Sequence, residues 1–167
     1  MEFKEAKDQF LQTWGALGSQ WGINKTMAQI HALLMISPDS LSMEDIMEEL
    51  QISRGNASMN LRGLIDWGIV YKEYKPGERR EYFVADQDVD SLARKIAIER
   101  SKREVKPALR VLAGVKNFDD DNSNEALKFK MKTQELHDFV EKADTMLEKI
   151  INQKENWITK TIMKLMT

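Results

Sequence analysis

Residues 53–68 read SRGNASMNLRGLIDWG, a run whose side chains suit recognition of anions and hydrogen-bonding edges better than bond cleavage. Arg54 and Arg62 offer planar guanidinium forks matched to phosphate and to guanine edges. Asn56 offers a paired donor and acceptor matched to adenine, and Ser53 and Ser58 offer hydroxyls matched to phosphate. On a helical wheel of about 100° per residue, Ala57, Leu61, Leu64, Ile65 and Gly68 gather on one side and are expected to face a core. Gly55, Met59, Arg62, Gly63 and Asp66 gather on the other, with Arg54, Asn56 and Ser58 in the exposed first turn or its flank. Glycine, asparagine and serine hold a helix poorly. On an outer face they make sense where another molecule's backbone must come close, although small polar residues also open ordinary helices.

The charges around this run are sorted. From Arg54 to Arg80 the basic residues are Arg54, Arg62, Lys72, Lys75, Arg79 and Arg80, against Asp66, Glu73 and Glu78. The preceding stretch 38–51 carries Asp39, Glu44, Asp45, Glu48 and Glu49 and no basic residue. Positive charge is thus gathered on residues 54–80, where a polyanion would lie. The segment KPGERR would set Lys75, Arg79 and Arg80 at the tip of a hairpin, beside a minor groove or flanking backbone. The plainer reading of that hairpin is a solvated edge kept from strand pairing by its charge.

The elements that must position these groups are legible from apolar spacing and capping signals. Residues 2–21 place Phe3, Ala6, Phe10, Trp14, Leu17 and Trp21 three or four apart, as in an amphipathic helix ended by Gly22. Asn24 is placed to cap a second helix with Met27, Ile30, Leu33 and Leu34 as its buried stripe, stopped by Ser37-Pro38. Ser42 and Asp45 form a capping signal for a third, with Ile46, Met47 and Leu50 inward and an acidic outer face. The turn Gln51-Ile52-Ser53 leads to the opening segment, capped by Ser53 and closed by Gly68. Helix, short turn and helix make a helix-turn-helix. Two strands, 69–74 and 80–85, follow around Pro76-Gly77, completing a winged helix with a two-stranded wing. Asp86 is expected to restart helix. Residues 87–115 carry Val89, Leu92, Ile96, Val105, Leu109 and Leu112 with Pro107 as an interruption, 116–123 form an acidic loop, and 124–153 form a long helix. The expected organisation is mainly α, with a winged helix-turn-helix domain over 1–86 and long helices for dimerisation over 87–167.

The segment ISRGNASMNLRGLIDWGIVYKEYKPGERREYFVA resembles the winged helix of MarR-type transcriptional regulators, most closely their GbsR-like branch. The resemblance runs from about Trp14 to Leu112 and is most specific over 52–85. It implies a homodimeric bacterial regulator, usually a repressor, that reads a pseudo-palindrome in double-stranded DNA with one helix and wing per half-site. Ser53, Arg54, Gly55, Asn56, Ser58, Met59 and Arg62 would then face the groove, and Lys72, Lys75, Arg79 and Arg80 the flanking backbone. That branch is associated with quaternary ammonium effectors, which bind in aromatic cages. Trp14, Trp21, Trp67 and Tyr71 are the aromatic candidates here, and their plainer role is as core and interface anchors.

A dimer is also expected mechanistically, because one helix-turn-helix reads too short a site. Leu136, Val140, Ala143, Leu147 and Ile150 form the candidate interface stripe, within an alternation that also admits Phe139 and Met146. Such a stripe is equally at home as core within one chain. The formal net charge of −2 argues against binding nucleic acid by bulk charge and supports an alternative, a winged-helix scaffold that docks protein. With no cysteine, no disulfide or thiolate site can form. The N-terminal MEFKEAKDQF is not a signal peptide, and no run approaches a membrane span, so a cytoplasmic protein is expected. His31 sits in an apolar helix and His137 in a charged one, neither with partners at metal-ligand spacing. No phosphate-binding or nucleophile motif is present, so neither catalysis nor a cofactor is expected.

Overall fold

Gly15 and Gly18 decide how the first two helices meet. In the computed structural model, which describes residues 1–20, 22–115, 118 and 123–152, helix α1 (Phe3–Gln20) packs on α2 (Lys25–Ile36). A Cβ on Gly18 would lie 2.5 Å from the Ala28 Cβ, and one on Gly15 2.7 Å from the Gln29 Cγ. The buried line of α1 is therefore Leu11, Gly15 and Gly18. This corrects the expected stripe: Phe3 and Ala6 are exposed, Phe10, Trp14 and Leu17 are half-buried, and Trp21 lies outside the described residues. Counting large apolar residues misses a helix face whose contact depends on having no side chain.

The caps behave as their chemistry requires. Asn24 Oδ1 accepts from the Thr26 and Met27 N–H groups at 2.9 and 3.2 Å. α2 then buries Met27, Ala28, Ile30, His31, Ala32, Leu33 and Leu34, because it is packed by α1, α3 (Met43–Leu50), α4 (Arg54–Asp66) and β3 (Glu81–Ala85). Ser42 and Asp45 form a reciprocal capping box at the start of α3, the Ser42 N–H donating to Asp45 Oδ2 at 2.8 Å. The hydroxyl and backbone bonds from Ser42 hold the Asp45 carboxyl below the usual carboxylate range. Gln51, in the left-handed region at φ 53°, makes the turn into α4. Gly68, at φ 70°, ends α4 with the paired bonds of a Schellman motif, Gly68 N–H to the Ile65 carbonyl and Ile69 N–H to the Leu64 carbonyl.

β2 (Val70–Tyr74) and β3 pair antiparallel with Lys72 opposite Phe83. Lys75-Pro76-Gly77-Glu78 joins them as a type II turn, with Gly77 at φ 82° and the Glu78 N–H on the Lys75 carbonyl. The sheet gains a third strand, β1 (Leu41–Ser42), which pairs with β3 and gives the order β1-β3-β2. Two residues show no alternation to read, so this strand was not expected.

Helix α5 (Val89–Arg100) starts later than Asp86, because Asp88 Oδ1 accepts the Asp90 and Ser91 N–H groups and caps it. Asp86 instead donates its N–H to the Ile69 carbonyl and accepts the Ser91 hydroxyl. The chain divides into compact units at Met1–Leu92 and Ala93–Thr167.

In the second unit Pro107 does not break the helix. A π-helical turn, Ser101–Val105, precedes α6 (Lys106–Val115), and the Lys106 N–H reaches back to the Ser101 carbonyl. The wider turn accommodates a ring that would crowd an α-helical carbonyl. α6 and the π turn pack against α7 (Asn124–Asn152), where Ser101 Oγ donates to Asp144 Oδ1 at 2.9 Å. No helix among the described residues is long and apolar enough to cross a membrane.

Candidate nucleic-acid interface

α4 is held from behind and open in front. Ala57, Leu61 and Leu64 are buried and Ile65 half-buried. Gly55 is exposed, and a Cβ there would meet nothing within 4 Å. Met59 and Arg62 are exposed beside it. Ser53 caps the helix, its Oγ accepting the Asn56 N–H at 3.3 Å. Gly63, expected on the outer face, instead turns toward α2, where a Cβ would sit 3.2 Å from Met27 Cε. Its smallness serves packing rather than the open surface.

Asn60 was not anticipated. It is buried, and its Nδ2 donates to the Asn56 carbonyl at 2.8 Å and to Asn56 Oδ1 at 2.7 Å. One lone pair of the Asn56 amide oxygen is thereby taken, which leaves its NH₂ group and a second lone pair for other partners. The four-residue spacing of the two asparagines was the available signal. Ser58 is half-buried on the flank of the same turn.

The cations divide into held and unheld. Arg54, the first residue of α4, donates through Nη2 to Glu44 in the first turn of α3. Lys72 Nζ donates to Glu81 at 2.7 Å across the sheet, which raises the Lys72 pKa and lowers that of Glu81. Lys75 Nζ stands 4.1 Å from the Tyr82 ring centroid, and the Tyr82 hydroxyl donates to Glu78, which raises the Tyr82 pKa. Arg62, Arg79 and Arg80 are exposed and make no ion pair or hydrogen bond among the described residues. The Asp45 carboxyl feels Arg80 and Lys75, so the turn end of the wing faces the start of α3. This arrangement presents an open backbone, an exposed methionine and three unheld guanidinium groups on one element pair. It is suited to laying against a polyanion and holds no nucleophile and base in contact.

The other expected groups are scattered. Trp67 is buried at the end of α4, Tyr71 is exposed on β2, and Trp14 lies against Phe10 at 5.6 Å between centroids. The stripe of Leu136, Val140, Ala143 and Leu147 runs along the border between the packed and the open sides of α7. Val140 and Leu147 are half-buried on the side that brings Asp144 to Ser101, whereas Leu136 and Ala143 are exposed, with Phe139 and Met146 in the gaps. The Ile150 side chain lies outside the described residues.

Comparison with known proteins agrees with this geometry. A sequence model of the MarR family matches residues 21–81, the span from the end of α1 to the start of β3. The HTH-type transcriptional repressor GbsR of Bacillus subtilis (strain 168) is 22% identical over 135 residues, covering 75% of this chain and 74% of that protein. A solved structure described as a transcriptional regulator superposes with a TM-score of 0.62 at 18% identity, over 87% of this chain and 95% of that one, and shares the fold. The match to the MarR family falls on the winged helix-turn-helix, the part of this chain that carries that family's pattern.

Proposed function

We propose that this protein is a transcriptional repressor that binds a pseudo-palindromic site in double-stranded DNA as a homodimer, with α4 in the major groove and the wing over the flanking backbone. The observation that carries this reading is the open front of α4. Gly55 has free space before it, and Arg62, Arg79 and Arg80 stand unheld on α4 and the wing. Short side chains at a helix start let the backbone approach base edges, and guanidinium groups neutralise phosphates. The match of residues 21–81 to the MarR family and the similarity to the repressor GbsR support the same direction. The test is selection of duplexes from a random-sequence library, followed by fluorescence anisotropy at two salt concentrations. A preferred inverted repeat is expected, with affinity falling about a thousandfold between roughly 50 and 200 mM salt. Absence of saturable binding at low salt would leave a protein-docking scaffold as the better description.

The dimer reading rests on α7, where Leu136, Phe139, Ala143 and Met146 follow the alternating three- and four-residue spacing of a helix seam and are exposed. The effector reading, a quaternary ammonium cation in an aromatic cage, rests on the resemblance to the GbsR-like branch. Its test is the melting temperature with millimolar choline or glycine betaine: a rise supports it and no shift removes it. A cytoplasmic location follows from the same regulatory role.

A further inference from the structure

Arg54 occupies the most forward position of α4, yet its charge is already answered from the other helix of the helix-turn-helix. Glu44 bonds its Nη2, with the two side chains 49% and 66% exposed respectively. Nothing buries the pair, and Gly55 leaves the adjoining surface open. We propose that Glu44 is a specificity-determining residue, which turns Arg54 away from phosphate and toward a base edge.

The reason is charge. A phosphate that takes Arg54 exchanges one anion for another and is pushed close to the displaced Glu44 carboxylate, so little is gained. A guanine edge presents two neutral acceptors, O6 and N7. The guanidinium has five donors, so it can keep Nη2 on Glu44 while its remaining N–H groups reach such an edge. Glu44 therefore penalises contacts that every sequence offers and spares the contact that one base offers. Arg62, Arg79 and Arg80, with no carboxylate bonded to them, supply the sequence-independent attraction.

This rests on the DNA-binding reading, and the experiment separates the two. Affinities of wild type, Glu44→Gln and Glu48→Gln are measured by anisotropy. The probes are the duplex the wild type selects from a random library and an unrelated duplex of equal length. Glu48 lies exposed on the same helix without an ion pair among the described residues, and controls for loss of one negative charge. Glu44→Gln is expected to bind the unrelated duplex about threefold more tightly, with its salt slope steeper by about 0.9 per engaged protomer. Affinity for the selected duplex should rise less, so discrimination narrows, while Glu48→Gln shifts both duplexes alike. In an Arg54→Ala background Glu44→Gln should behave as Glu48→Gln does. Equal shifts on both duplexes, or wider discrimination, would overturn the role given to Glu44. A wild type that selects no sequence fails the DNA reading first and this inference with it.

Discussion

In residues 1–92, Ile30, Leu33, Leu34, Ile46, Leu61, Leu64, Val70 and Phe83 are almost wholly buried, while in residues 93–152 Val111, Leu127, Phe129, Met131, Leu136, Phe139 and Met146 stand exposed. Among the described residues no apolar side chain beyond Leu92 is fully buried. The first unit closes a core of its own around α2. The second buries Ser101 and Thr133 and leaves its large apolar groups outward on α6 and α7. Exposed large side chains at seam spacing are what a second copy of the chain would cover. Under the proposed function, recognition would fall to the unit that closes its own core and association to the helices whose apolar groups stand outward.

Truncation should separate the units most strongly. Leu33→Ala, at 1% exposure in the first core, is expected to cost about 2–5 kcal/mol of folding stability, read by urea denaturation. A much smaller loss would mean that the core of the first unit is looser than its burial shows.

His31 gives the next effect. It is 3% exposed with Nε2 unpartnered, and burial lowers its pKa to about 4 from 6.5, with Asp86 opposing weakly. The native state thus resists a proton that the unfolded chain accepts. Stability should fall as pH drops from about 6.5 toward 4, by about 3 kcal/mol in total, and level off below. His31→Leu should remove that dependence in pH-resolved denaturation. A wild-type curve as flat as the variant's would show that His31 is hydrated or paired.

Gly18→Ala comes third, since the new methyl would press on Ala28. A loss of about 1–2 kcal/mol is expected despite the better helix propensity; a gain would mean that α1 can lift from α2 freely. Phe139→Ala should change folding of the isolated chain least, by less than about 1 kcal/mol, because the side chain is 71% exposed. It should instead weaken the dimer in sedimentation velocity. An undisturbed dimer would place the interface elsewhere.

Local chemistry was the legible part of the fold. The caps at Asn24, Ser42 and Ser53 and the stop at Gly68 are written in neighbouring residues, because each bond closes within a few positions. Contacts that depend on remote partners were not legible. Gly18 faces Ala28, Gly63 faces Met27, and β1 exists only because Leu41 meets Phe83. Pro107 signalled an interruption, but a π turn rather than a break resolves it. At the interface the residue types and charge sorting could be read directly. Their partners could not, since Glu44 and Glu81 become relevant only when folding brings them to Arg54 and Lys72.

The central claim, that the open front of α4 and its wing bind DNA, is tested most directly by Arg62→Ala. Arg62 is exposed and makes no ion pair or hydrogen bond among the described residues, so its removal should leave the melting temperature and sedimentation unchanged. Because Arg62 is assigned to sequence-independent attraction, affinity should fall for the selected and the unrelated duplex alike, with a salt slope shallower by about 1. Undiminished affinity in a folded, dimeric variant would contradict the placement of α4 against DNA.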